Sequence, residues 1–262
     1  MALFCGVDVG ASATKLVLID GEAREVASSV RPSGVDYTAT ARACLDEALD
    51  RSGARELART VSTGYGRHNV AFAEASLTEI HCHGVGCYHL EGPGAMTVVD
   101  IGGQDNKVIR LADDGHRVDF RMNRKCAAGT GAFIEEIALR LDLPLGEMER
   151  LAASTDRAVR LSSFCTVFAK TEILAHLRQG VPVAEIVRGA FQSVVQRVVE
   201  MDPLQGKVVL TGGVVAHNPT VAKLLGERLG REVAVPAAPQ LTGALGAALI
   251  AREQNEKQTG GK

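Results

Sequence analysis

Cys126, in Met122-Asn123-Arg124-Lys125-Cys126-Ala127-Ala128-Gly129-Thr130-Gly131, and Cys165, in Ser162-Ser163-Phe164-Cys165-Thr166-Val167-Phe168, each stand just ahead of a helical pattern and lack a nearby thiol partner. That arrangement suggests half of a shared metal site. A four-iron cluster takes four thiolates, so two cysteines per chain suffice where a symmetric dimer supplies two more across its axis. A helix N-terminus carries partial positive charge and unsatisfied N–H groups, which favour an anionic ligand set. Arg124 and Lys125 add positive charge beside Cys126; they read equally well as solvated surface charges or as groups that tune a potential or dock a partner.

A second pattern lies in a repeat. Val7-Asp8-Val9-Gly10-Ala11-Ser12-Ala13-Thr14-Lys15-Leu16-Val17-Leu18 aligns without a gap on Val99-Asp100-Ile101-Gly102-Gly103-Gln104-Asp105-Asn106-Lys107-Val108-Ile109-Arg110, with Val, Asp, Gly and Lys in register. Each copy is an apolar run ending in Asp-x-Gly, a polar tight turn and a second β-rich run, the reading for a hairpin. Later, Val208-Val209-Leu210-Thr211-Gly212-Gly213 is another apolar run that ends in a glycine turn.

The elements that must position these groups follow from periodicity. Third strands are expected near Glu25 to Val30 and Arg117 to Met122, helices over Asp36 to Arg51 and Glu79 to Leu90, and a short strand at Thr60 to Ser62. In the second half, Gly131 to Leu141 (Phe133, Ile134, Ile137, Ala138, Leu141) and Val183 to Met201 (Ile186, Val187, Ala190, Phe191, Val194, Val195, Val198) carry apolar residues at helical spacing. Asn218-Pro219 reads as a helix start with the Asn as cap, and Gln240 to Leu249 as a small-residue helix. The tail from Gln254 to Lys262 is polar and is expected to be disordered. The lobes are expected at 1–94 and 95–262, with the final helix packed back on the first.

Composition bounds the rest. The chain has 262 residues, 46% hydrophobic and 23% charged, with net charge -2, enough for a substantial core and no electrostatic case for nucleic acid or an anionic membrane. Only 4% aromatic residues and no Trp disfavour a base-stacking surface. No apolar run reaches membrane-spanning length and no signal peptide is legible, so a cytoplasmic protein is expected. Six scattered cysteines do not make a dense disulfide framework; Cys5 and Cys44 are expected to pack as small hydrophobes. His81-Cys82-His83-Gly84-Val85-Gly86-Cys87-Tyr88-His89 places His83 and Cys87 on one helical face where zinc could bind, and the ordinary reading, a partly buried helix near a hinge or dimer seam, stands ahead of it.

With two Asp-x-Gly hairpins followed by Thr-Gly-Gly, the chain resembles the actin-like ATPase superfamily of sugar kinases, actin and the 70-kilodalton chaperones. The resemblance implies an α/β, two-lobed fold of duplicated ribonuclease H-like domains. In such folds Gly10, Ala11, Ser12, Ala13, Thr14 and Lys15, and Gly102, Gly103 and Gln104, cradle ATP or ADP phosphates through glycine-turn amides. Asp8 and Asp100 hold waters of a Mg2+ ion, and Gly212 and Gly213 admit the adenosine. Gln104 is the candidate for positioning attacking water and Lys15 or Lys107 for phosphate charge; Gly129 and Thr130 join the cofactor-binding candidates.

The cysteine motifs narrow this further. They resemble those of the ATP-dependent activators of 2-hydroxyacyl-CoA dehydratases and the ATPase subunits of benzoyl-CoA reductase, over essentially residues 2 to 251. The resemblance implies a homodimer, or a dimer of paralogues, bridged by one oxygen-sensitive [4Fe-4S] cluster on Cys126 and Cys165. ATP binding between the halves and its hydrolysis would rotate them and drive low-potential electrons from ferredoxin or flavodoxin to an iron-sulfur dehydratase or reductase. Asn123 to Cys126 with Gly103 to Lys107 leans toward the reductase type, while the compact length suits a stand-alone activator. A sugar-type kinase would need a catalytic Asp near a sugar site, for which no candidate is legible, and an assembly module would bind nucleotide without iron.

Overall fold

The computed structural model describes residues 2–123, 126–161 and 165–259, without the side chains of Thr166 and Val167. Arg124, Lys125 and Ser162 to Phe164, quoted in the cysteine motifs, lie outside the described residues, as do 260–262.

β1 (Phe4–Val9) is buried along its whole length, as a strand is when both faces of its sheet are covered. β2 (Ala13–Ile19) and β3 (Glu25–Pro32) follow as antiparallel neighbours, and β4 (Arg59–Thr63) and β5 (Ala75–Ser76) join in parallel, for the order β3-β2-β1-β4-β5. Alternation sends Cys5, Val7, Val9, Leu16 and Leu18 to one face. There they meet Ala41, Cys44 and Leu45 of α1 (Tyr37–Ser52), whose cap is Asp36, accepting from Ala39 N at 2.9 Å. Phe4, Val17 and Ile19 point to the other face, covered by Cys82 of α2 (Glu79–Glu91) and by a C-terminal helix, Thr242–Thr259.

The second sheet repeats the plan. β6 (Met96–Ile101), β7 (Asn106–Leu111) and β8 (Arg117–Asn123) are followed by α3 (Gly131–Arg140), α4 (Leu145–Ala153), α5 (Thr166–Arg178) and α6 (Val183–Met201). β9 (Lys207–Thr211) then pairs parallel to β6 for the order β8-β7-β6-β9, and α7 (Gly213–His217), α8 (Pro219–Leu229) and the C-terminal helix α9 complete the chain. Phe133, Ile137, Met148, Ile186, Phe191 and Val194 pack on Val99, Ile101 and Val108 as one core. Packing divides the chain into one unit of 1–95, 111–118 and 240–262 and another of 96–110 and 119–239, so α9 and the tip of the β7–β8 hairpin count with the first.

Two expectations are corrected. Asn218 does not cap α8 with its side chain: Nδ2 donates backward to Val214 O at 2.9 Å, and Glu149 of α4 takes the capping place, accepting from Thr220 N at 3.2 Å and Thr220 Oγ1 at 2.7 Å. The tail is not disordered from Gln254. α9 continues to Thr259 because Arg59 donates from Nε to Gln254 at 3.1 Å and from Nη1 to Gln258 at 2.9 Å, giving the polar end a tertiary partner. Among the described residues no helix is long and apolar enough to cross a membrane.

α9 can lie close to α2 only because glycine stands at their crossing: a Cβ on Gly246 would overlap Cys82 O and stand 2.9 Å from Gly86 N. Both obstacles are backbone, so neither can rotate away. Gly246→Ala is expected to destabilise the protein by about 2–3 kcal/mol, read as a lower denaturation midpoint.

Candidate functional site

The two hairpins close identically. Gly10 N donates to Ala13 O at 3.0 Å and Gly102 N to the aligned Asp105 O at 2.9 Å. β1 pairs Asp8 with Lys15, whose Nζ lies 3.1 Å from Asp8 Oδ2; in the second hairpin Lys107 Nζ lies 3.0 Å from Asp100 Oδ2. One difference between the copies changes the charge around the lysine. Where the first has Ala13, the second has Asp105, which accepts from Lys107 Nζ at 2.6 Å. Lys107 is therefore held between two carboxylates at 3% side-chain exposure, and Lys15 by one at 15%. Formally the second group carries net charge −1 and the first none, which suits Asp100 to a cation and Lys15 to reaching a phosphate.

Each aspartate ends against a glycine in the left-handed region. Asp100 pairs with Thr211 across the parallel ladder, and a Cβ on Gly212 (φ 103°) would stand 2.7 Å from Asp100 Oδ1. Asp8 pairs in the same way with Thr63, and a Cβ on Gly64 (φ 88°) would overlap Asp8 Oδ1. Thr63-Gly64 is thus the first unit's counterpart of Thr211-Gly212, and sequence reasoning missed it. The signal was a short strand ending in Thr-Gly, polar in composition and without the doubled glycine of the later motif.

The expected site residues divide by exposure. Ala11, Ser12 and Gln104 stand exposed at the hairpin tips, with Gly10, Ala13, Gly102, Gly103 and Gly213 half-buried. Thr14 is fully buried, its Oγ1 2.9 Å from Ser33 Oγ, so it braces the hairpin from behind. Thr130 is also buried and donates from Oγ1 to Ala127 O at 2.6 Å; Gly129 (φ 77°) turns the same loop. In each unit a buried carboxylate at a strand end, facing a residue without a Cβ, offers the oxygen chemistry that hydrated Mg2+ prefers.

Of the six cysteines, Cys126 and Cys165 are exposed and Cys5, Cys44, Cys82 and Cys87 are buried. Burial pushes the Cys82 thiol up to about 12, against the opposing effect of its hydrogen bond with the Thr63 side chain, and raises Cys5 and Cys44 as well, so those thiols do not ionise at neutral pH. Cys165 directly precedes α5; Cys126 opens a turn that ends at the start of α3. Among the described residues no three His, Cys, Asp or Glu side chains converge as a metal group. His83 and Cys87 are both buried residues of α2. Two exposed thiols fit half of a thiolate-ligated cluster and not a whole one.

α3 and α5 are joined by Glu136, 2.6 Å from Lys170 Nζ. Its hydrogen bond to Lys170, outweighing partial desolvation, lowers the Glu136 pKa below its usual value. A lowered folded-state pKa stabilises above the unfolded value and loses that contribution as pH falls through the folded one. Proteolysis within residues 126–178 is expected to accelerate on acidification below the ordinary glutamate range, and Glu136→Gln is expected to remove that pH dependence.

Residues 5–251 match the BadF/BadG/BcrA/BcrD ATPase family. The activator of lactoyl-CoA dehydratase from Anaerotignum propionicum is 42% identical over 97% of this chain and 98% of its own. The solved activator of the 2-hydroxyisocaproyl-CoA dehydratase from Clostridium difficile, with bound ADPNP, superposes with TM-score 0.92 at 35% identity, covering 99% of this chain and 98% of that one. A subunit of benzoyl-CoA reductase from Thauera aromatica is 29% identical over 98% and 95% of the two chains. The duplicated hairpins, paired Thr-Gly turns and full-length similarity together establish an actin-like fold, and the chain belongs to the BadF/BadG/BcrA/BcrD ATPase family.

Proposed function

We propose that the protein is the ATP-dependent activator of a 2-hydroxyacyl-CoA dehydratase, working as a homodimer that passes low-potential electrons from ferredoxin or flavodoxin to an iron-sulfur dehydratase component. The observation that carries this reading is the placement, in one chain, of two exposed cysteines ahead of α3 and α5 beside duplicated Asp-Gly hairpins. The stand-alone activator is favoured over a reductase component by 42% identity to the lactoyl-CoA system against 29% to the Thauera aromatica benzoyl-CoA reductase chain.

Asp8 and Asp100 would hold a hydrated Mg2+ through its waters, and the exposed hairpin amides would bind the phosphates. Lys15 leaves Asp8 to neutralise phosphate charge, while Gln104 orients the attacking water. Cys126 and Cys165 of each of two chains would hold a bridging [4Fe-4S] cluster, which supplies one-electron transfer when bound. Cys165 stands directly at the N-terminus of α5, whose positive dipole end favours its thiolate. Hydrolysis changes the phosphate load on the hairpins, and the helices that follow the cysteines respond.

The test is anaerobic reconstitution with a 2-hydroxyacyl-CoA dehydratase component, a low-potential reductant and substrate. Dehydration that starts only when this protein and ATP are both present is expected; dehydration indifferent to either contradicts the proposal.

A further inference from the structure

Asn106 opens β7 between Asp105 and Lys107 and is fully buried. Its Nδ2 donates to Gly129 O at 2.8 Å, inside the turn that begins with Cys126. Two backbone bonds run beside it: Gly131 N donates to Gly102 O at 2.9 Å and Ala132 N to Gly103 O at 2.8 Å. Asn123 Nδ2 closes the turn from its other end on Cys126 O at 3.1 Å. The hairpin that carries Asp100 and Gln104 is therefore bonded directly to the segment that carries Cys126.

The first unit shows what this link is built from. Thr14, aligned with Asn106, has Oγ1 2.9 Å from Ser33 Oγ, and Ser33 Oγ donates to Gly10 O at 2.6 Å. In both units the first buried residue after the hairpin turn ties the segment beyond the third strand back to the hairpin. In the first unit the tie lands on Ser33, directly after β3. In the second it lands in the cysteine turn, which occupies the same place between third strand and helix. Asn106 Oδ1 is also buried with no hydrogen-bond partner among the described residues, a cost that a purely structural tie of the Thr14 kind avoids.

We propose that Asn106 is the positioning residue through which the second nucleotide hairpin sets the place of Cys126, so that phosphate load at Gly102–Gln104 changes how accessible that thiolate and its ligated iron are. This rests on the electron-transfer reading above and names the path within it. The hairpin and the turn share one set of buried bonds, so a shift of one cannot occur without a shift or a break in the other.

Asn106→Leu tests it: leucine keeps the branched outline and removes the donor and the unpartnered acceptor together, and because it is larger and leaves Gly129 O without its donor, the melting temperature should fall by several degrees with the fold retained. Iron loss to an anaerobic chelator is measured in the loaded dimer with ATP and with ADP. The wild type should differ between nucleotides by about fivefold or more; Asn106→Leu should lose that difference while hydrolysing ATP at close to the wild-type rate. A variant that keeps the wild-type ratio, or a wild type indifferent to nucleotide, overturns the proposal. If the full chain binds no iron, the cluster reading fails separately, and alkylation of Cys126 by iodoacetamide under the same two nucleotides decides the link instead. If Asn106→Leu does not fold, hydrogen exchange at the Gly131 and Ala132 amides of the wild type decides it: rates that differ between an ATP analogue and ADP support the link, and equal rates overturn it.

Discussion

Cys126→Ser and Cys165→Ser will each remove the iron and abolish ATP-dependent activation of the dehydratase, a loss of more than about 100-fold, because a neutral hydroxyl does not replace a thiolate as a soft-metal ligand. Neither side chain belongs to a core: both are exposed. The melting temperature of the metal-free chain should therefore stay at its wild-type value, and so should its rise on adding Mg-ADP, which reports ligand bound to the folded state. Cys5→Ser and Cys82→Ser supply the contrast. Those thiols are fully buried in the first unit, so their replacement places a hydroxyl in an apolar site and costs stability while leaving iron content unchanged. Iron analysis and calorimetry on the four variants separate the roles; iron retained by Cys126→Ser and Cys165→Ser would remove the bridging site from the account.

Asp100→Asn is the second large effect, expected to lower kcat for ATP hydrolysis by on the order of 10²–10³-fold, the scale at which removing one preorganised electrostatic group acts. Asparagine is the informative choice because Lys107 is buried against Asp100 and Asp105. Removing the side chain outright leaves a buried ammonium partly uncompensated and confuses folding with catalysis. The amide keeps the shape, and Asp105 keeps the ion pair. Asp8→Asn should act in the same direction, with less structural consequence because Lys15 is the more exposed lysine. The measurement is steady-state hydrolysis at varied Mg2+, alongside the Mg2+-dependent part of the ADP-induced melting shift. Wild-type kcat in Asp100→Asn would mean that the second hairpin does not orient the metal.

Much of this architecture was legible in the chain. An ungapped repeat reveals two hairpins because the same Asp, Gly and Lys answer the same local needs in both: a strand end, a tight turn and a counter-charge. Helices such as α1 and α6 were legible from period alone, since an amphipathic stripe suffices to specify them. The exposed and buried cysteines also sorted as their surroundings suggested, Cys5 and Cys44 lying within strand and helix patterns. What escaped depends on partners distant in sequence. Thr63-Gly64 carries no doubled glycine, and only its pairing with Asp8 marks it. The cap of α8 comes from Glu149 on another helix, against the local propensity of Asn218. The helical tail is held by Arg59, far away in the chain. Asn106 looks like an ordinary strand residue until its bond to Gly129 is seen.

The most direct test of the central claim is iron and acid-labile sulfide per chain in protein purified without oxygen, measured together with the molar mass in solution. About four irons and four sulfides per two chains are expected, in a dimer that hydrolyses ATP. A stable, ATP-hydrolysing protein that holds no iron under those conditions would contradict it and leave an ATPase whose two exposed cysteines serve some other chemistry.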